Sequence, residues 1–156
     1  MTLRKGFLFL ALVGLTGSAL FADTLDGKTI ELAHYAKAYI GQGNITVEVA
    51  PYKSDDGPGA ILLFHGIESA WDGKALNHRV RPGPLDGQDY VTTYHGKDWA
   101  TLIVRKSDGK TPAYALYLPD VTGEIALTPS DGAAQLTDPH KIFQEYQQQE
   151  KNGAIP

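Results

Sequence analysis

Apolar residues along this chain recur mostly at every second position, in short runs broken by turn formers. In NITVEVAPY, residues 44–52, Ile45, Val47 and Val49 alternate with Thr46, Glu48 and Ala50. Successive side chains of a strand leave on opposite faces, so this period of two predicts a half-buried strand. AILLFHGI, residues 60–67, is apolar on both faces and predicts a central strand. SDDGPG before it reads as a turn, and RPGPLDG, residues 81–87, as a loop. Asp-Gly pairs stand at 26–27, 56–57, 72–73, 86–87, 108–109 and 131–132. Both residues tolerate positive φ, so the pairs favour tight hairpins between the apolar runs. A two-residue turn at Asp72-Gly73 would set Ile67 opposite His78 and His65 opposite Val80.

Residues 89–120 read as a three-stranded meander with turns at Gly96-Lys97 and Asp108-Gly109. That register sets Tyr94 opposite Trp99, Thr92 opposite Thr101, and both Tyr90 and Tyr114 opposite Ile103. One face then gathers Tyr90, Tyr94, Trp99, Ile103, Tyr114, Leu116 and Leu118, and the other Val91, Leu102, Val104 and Ala115. Two apolar faces call for a sheet covered on both sides or curled on itself. EIALT, residues 124–128, adds a further strand.

Two segments carry a helical period. Leu32, Tyr35, Ala36, Tyr39 and Ile40 predict a short helix within 29–40, with Thr29 as cap and Gly41 as stop. Ile30, Leu32, His34 and Ala36 in the same segment also alternate like a strand. Near the C-terminus Asp138 can cap a helix, Pro139 suits its first position, and Ile142, Phe143 and Tyr146 form its apolar stripe up to Gly153. The expected fold is mainly β: a single small antiparallel meander of about six strands, as a curled sheet, small barrel or sandwich, with a C-terminal helix.

The first 22 residues stand apart. Arg4 and Lys5 precede an apolar run, Phe7 to Leu15, and small residues follow. This is the layout of a cleaved secretory signal peptide, with the cut after Ala19 or Ala22. The expected organisation is therefore a leader over 1–22 and one β-rich domain over 23–156, located in a periplasm or secreted, with no stable membrane insertion after cleavage. Removing Arg4 and Lys5 from the 14 basic residues leaves 12 against 18 acidic ones, a net charge of −6. No basic cluster is available for a phosphate backbone, which argues against nucleic acid as a partner. With no cysteine, thiol nucleophiles, disulfides and cysteine-based metal centres are excluded.

Candidate chemistry is sparse. LLFHGIESAWDG, residues 62–73, resembles locally the alpha/beta-hydrolase family, in which a His-Gly pair after an apolar strand helps build the oxyanion hole; His65 and Gly66 match it. The resemblance covers only these residues, and the chain lacks the G-x-S-x-G nucleophile elbow that would complete the enzyme. His65 and His78 would be diagonal neighbours in the expected hairpin, about 7 Å apart at Cβ, and are the candidate metal ligands. They fill two of the usual four zinc positions, and no cofactor is expected. Asp55, Asp56, Asp86 and Asp89 read as turn formers, not as an acid–base pair. Trp71, His95, Lys97 and Trp99 lie at or beside turns, where aromatic and charged side chains anchor protein interfaces. The leading functional expectation is a small exported interaction protein, such as an inhibitor, an immunity-type protein or an envelope accessory protein, that binds another exported or envelope protein through those four residues. A small-ligand or metal-binding module using His65 and His78 is the alternative, and an enzyme of unrecognised type the third.

Overall fold

In the computed structural model, residues 23–106 and 113–154 are described. The leader over 1–22 and the turn at Asp108-Gly109 lie outside them. The strands are β1 (Asp23–Leu25), β2 (Lys28–Leu32), β3 (Lys37–Ile40), β4 (Thr46–Ser54), β5 (Gly57–His65), β6 (Ala75–Pro82), β7 (Gln88–Tyr94), β8 (Lys97–Val104), β9 (Tyr114–Leu116) and β10 (Ile125–Pro129). The helices α1 (Asp131–Leu136) and α2 (Pro139–Lys151) follow. Neighbours run in the order β1-β2-β4-β3-β10-β9-β8-β7-β6-β5, and β4 also pairs with β5. That last pairing closes β3 to β10 into an eight-stranded antiparallel barrel. The strand count thus exceeds the six expected, while the β-rich meander and the C-terminal helix stand. No helix among the described residues is long and apolar enough to cross a membrane.

The segment 29–40 is two strands, not a helix. Ile30 and Leu32 are buried and Glu31 between them is exposed, so the two-residue period prevails. One edge of β4 serves both strands. Its first half pairs with β3, from Ile40↔Thr46 to Lys37↔Val49, and its end pairs with β2, from Leu32↔Tyr52 to Ile30↔Ser54. Pro51 sits where β4 changes partner, the one place along that edge where a missing N–H costs no ladder bond.

β5 is buried on both faces, as its sequence predicts. Ala60, Leu62 and Phe64 point into the barrel with Val47, Val49, Tyr90, Leu102 and Leu116. Ile61 and Leu63 point outward and are covered by Ile142, Phe143 and Tyr146 of α2. Burying each of these side chains contributes about 1.5–3 kcal/mol, which fixes the helix to the wall. The Asp138 carboxylate caps α2 by accepting from the His140 N–H at 2.9 Å, with Pro139 at the first position. At the other end Gly153, at φ 65°, donates to the Glu150 carbonyl and Ala154 to that of Gln149. This pair of bonds is a Schellman stop. A short helix that was not foreseen, α1, begins where the Ser130 hydroxyl accepts from the Ala133 N–H.

Three registers differ from expectation, the β8–β9 one by a single residue, with Tyr114 opposite Val104 and not Ile103. β5 and β6 pair Ala60 with His78 and Leu62 with Leu76. Residues 66–74 therefore form a long connection in place of a tight turn at Asp72-Gly73. At the β7–β8 hairpin the turn is His95-Gly96, both at positive φ, with Tyr94 opposite Lys97. Farther along, the β7–β8 register slips so that Val91 faces Ala100 but Tyr90 faces Leu102. Thr101 is the extra residue of a β-bulge, and a bulge re-aims the side chains that follow it. Leu102 and Val104 consequently join Trp99 on the interior side, and Ile103, expected there, does not.

Candidate functional site

The two ends of the barrel are built differently. One is plugged. The 66–74 connection carries Trp71, 2% exposed, into the core, where its ring lies 5.8 Å from those of both Phe64 and Tyr94. Asp120 pins this loop by accepting from the Ser69 hydroxyl and the Ala70 N–H, each at 2.7 Å. These bonds hold the Asp120 carboxyl below its usual pKa. Asp72 accepts from the Ile67 N–H within the loop. Tyr94 in turn packs on Trp99, whose indole N–H donates to the Tyr117 carbonyl at 3.0 Å.

Mid-barrel, the bulged Thr101 meets His78, which is 1% exposed. His78 Nδ1 lies 2.9 Å from the Leu76 carbonyl and Nε2 lies 3.0 Å from Thr101 Oγ1. A carbonyl only accepts, so Nδ1 carries the proton and Nε2 accepts from the Thr101 hydroxyl. Both nitrogens are satisfied in the neutral ring. Burial lowers the His78 pKa from 6.5 to about 4, against a smaller opposing effect of the Leu76 carbonyl.

The opposite end is open. The connection 33–36 between β2 and β3 borders a cavity of 390 Å³ whose walls include Leu32, Pro51, Ala60, Val80 and Tyr90. An adjoining cavity of 300 Å³ is walled by Tyr39, Val104, Tyr114, Pro129 and α1. Lys37 and Gln88 line both. On their strands these two alternate with Ala38 and Asp89 and share the inward-facing parity of Tyr39 and Tyr90. The Tyr39 and Tyr114 rings stand 5.2 Å apart. Burial, then the neighbouring phenols Tyr90 and Tyr114, drive the Tyr39 pKa upward. Burial, then Tyr35, push that of Tyr90 up to about 12. These phenols therefore stay neutral at physiological pH and remain hydrogen-bond donors.

The rim of this mouth carries apolar surface. Tyr35 is 61% and Leu85 62% exposed. Leu85 and Asp86 occupy the centre of a turn closed by the Gly87 N–H on the Pro84 carbonyl, both at positive φ. A leucine in that conformation costs roughly 1–2 kcal/mol. A larger depression, 600 Å³, lies outside the wall between β2 and the start of α2, along the exposed Glu31, His34, Asp55 and His140. It is a surface groove among solvated charges and not an enclosed site.

The residues singled out in the sequence scatter across this frame. His65 and His78 are not brought together: His65 is half exposed on the outer wall, its Nε2 3.5 Å from a Glu48 carboxylate oxygen, whereas His78 is inside the barrel. The cause is the longer 66–74 connection, which shifts the register. Among the described residues no group of three or more His, Asp or Glu is placed to hold a metal ion. Trp71 is a core plug. Trp99 is half-buried, and His95 and Lys97 are exposed at the hairpin tip. His95, at φ 48°, packs edge-on against Tyr94, with ring centroids 4.1 Å apart.

The mouth residues Lys37, Tyr39 and Gln88 escaped sequence reasoning. Reading 29–40 as a helix set Lys37 and Tyr39 on different faces. The available signal was KAYI as a strand, in which positions 37 and 39 share a face. Comparisons with protein-family models, with curated proteins and with solved structures each return no match for this chain.

Proposed function

We propose that this chain is a binding protein that holds one small, ring-containing molecule in the open mouth of its barrel. The observation that carries this reading is the asymmetry of the two ends. Trp71 seals one, while the other keeps a cavity of 390 Å³ whose lining joins Leu32, Ala60, Val80 and the phenols Tyr52 and Tyr90 to a polar edge with Glu31, Lys37, Lys53 and Gln88. An eight-stranded barrel is just wide enough to fill with side chains or to admit one small ligand, and barrel mouths are frequent ligand sites. The strained, exposed Leu85 and the exposed Tyr35 at the rim fit a place of entry, since backbone strain concentrates at functional sites. Export through the 1–22 leader is part of the proposal, and N-terminal sequencing of the protein from its host's envelope tests it.

The test of the site is nuclear magnetic resonance of the 23–156 protein titrated with 2-naphthol, a neutral ring with a single hydroxyl. Backbone shifts should saturate and cluster at Leu32, Ala60, Val80 and Tyr90. Val80→Trp, which fills the mouth, should abolish them while the far-ultraviolet circular dichroism stays unchanged. Unmoved spectra at millimolar 2-naphthol would overturn the reading.

A second reading rests on the hairpin tip. His95 keeps a positive φ where glycine or asparagine is favoured, and with Lys97 it leads an exposed corner backed by Trp99. This corner suits a partner among exported or envelope proteins. Native mass spectrometry of protein recovered from the envelope would reveal a bound partner, to be lost with His95→Ala or Lys97→Ala. A bound partner that survives both substitutions sinks this assignment.

A further inference from the structure

We infer that the mouth selects an anion: an aromatic or similarly flat apolar carboxylate, its ring between Ala60, Val80 and Tyr90 and its charged group on Lys37. The inference rests on the ligand-binding reading above and specifies its chemistry. Lys37 starts β3 on the face shared with Tyr39, so its stem leaves the strand toward the barrel axis. It lines both halves of the mouth and makes no ion pair among the described residues. In a chain of net charge −4, a cation at the inward side of an apolar cavity is placed against the prevailing sign.

The surroundings complete an anion's needs. Gln88 lines the same two cavities and brings an amide donor. The Tyr39 and Tyr90 hydroxyls, kept protonated by burial, are further donors lining these cavities. Lys53 stands at the cavity's outer edge as a second cation. Glu31, the acid of this lining, alternates on β2 with Ile30 and Leu32, which pack under α2; it pairs with Lys53 on the face shared with Val47 and Val49 and offsets that lysine, so Lys37 is the cation left to the anion. Flatness of the ligand is suited to the walls, where Pro51, Pro58 and the Tyr90 ring offer faces.

The test compares two isosteres, 2-naphthoate and its neutral amide 2-naphthamide, by isothermal titration calorimetry on the 23–156 protein. The carboxylate should bind at least about tenfold more tightly than the amide, as a charge-assisted bond requires. Lys37→Gln should remove that preference, bringing carboxylate affinity down to that of the amide, while Lys53→Gln should reduce it only slightly. Equal binding of both compounds to the parent protein, lost in Val80→Trp, would overturn anion selection and leave the mouth as a neutral-ligand site. Binding of neither compound would overturn both readings. A preference that persists in Lys37→Gln would overturn the role of Lys37.

Discussion

Replacing His78 by glutamine should make the protein markedly less sensitive to acid. The imidazole is enclosed, both nitrogens are bonded in the neutral form, and its pKa falls to about 4 from 6.5. The sign follows from linkage. Above pH 6.5 the ring is neutral in both states and contributes no pH dependence. As pH falls below 6.5 the unfolded chain takes up a proton that the folded one refuses, so stability declines until the folded ring titrates near 4. Between pH 7 and pH 5 this single group should cost about 2 kcal/mol, and about 3 kcal/mol over the whole window. Urea unfolding at pH 7 and pH 5 reads it directly. His34, His65, His95 and His140 contribute equally to both proteins, so subtracting the pH effect in His78→Gln from that in the parent isolates His78. Thr101→Val probes the same contact from the other side. It leaves Nε2 without its donor and should lower stability at pH 7 by about 1–3 kcal/mol. An equal loss of stability on acidification in parent and His78→Gln would refute the account, and would mean that His78 is protonated or solvated in the folded protein.

Three further outcomes follow from the packing. Gln149→Leu should cost about 1–3 kcal/mol for each backbone group it strands, because Gln149 accepts from the Ala75 N–H at 3.0 Å and donates to the Gly73 carbonyl at 2.8 Å; the urea midpoint measures this, and an unchanged midpoint would mean that water replaces the amide. Asp120→Ala should loosen the plug at a cost of about 1–2 kcal/mol, moderated by solvent exposure, and should raise quenching of Trp71 fluorescence by acrylamide; unaltered quenching would show that packing alone seats the indole. Glu150→Gln should stabilise the protein at neutral pH. The Glu150 carboxyl is raised first by desolvation and then by Asp26, so its folded pKa exceeds the unfolded value and the ionised form is disfavoured. Its contribution is present below the unfolded pKa and lost as pH rises through the folded one, so the gain in melting temperature should vanish in mild acid.

Much of the architecture was legible because its causes are local. The alternation in β4, the two-faced β5 and the capped stripe of α2 each follow from spacing that one segment contains. What escaped the sequence depends on long-range partners. Nothing around Thr101 marks it as a bulge. Its place there answers to His78 on another strand, and the bulge then decides whether Leu102 or Ile103 faces inward. Asp72-Gly73 has the composition of a tight turn, but Asp120, far along the chain, holds the connection open as a plug. For the mouth, Lys37 and Tyr39 were in plain view, yet only ring closure gives β3 an inner face.

The closure itself has a consequence for how the chain reaches its fold. Most neighbouring strands of the barrel are joined by hairpins or short connections, but β3 meets β10 across nearly the whole domain, through Ile40↔Thr128 and Tyr39↔Pro129. Contacts that close long loops bear a large entropic cost and tend to form late, and proline supplies no N–H to this seam. Amide exchange should therefore be fastest along β3 and β10 and slowest along β4 to β8. Until the seam shuts, two strand edges stand open as templates for pairing with other chains. Assembly of this barrel is thus a race between its last intramolecular zipper and self-association, and low protein concentration favours the zipper.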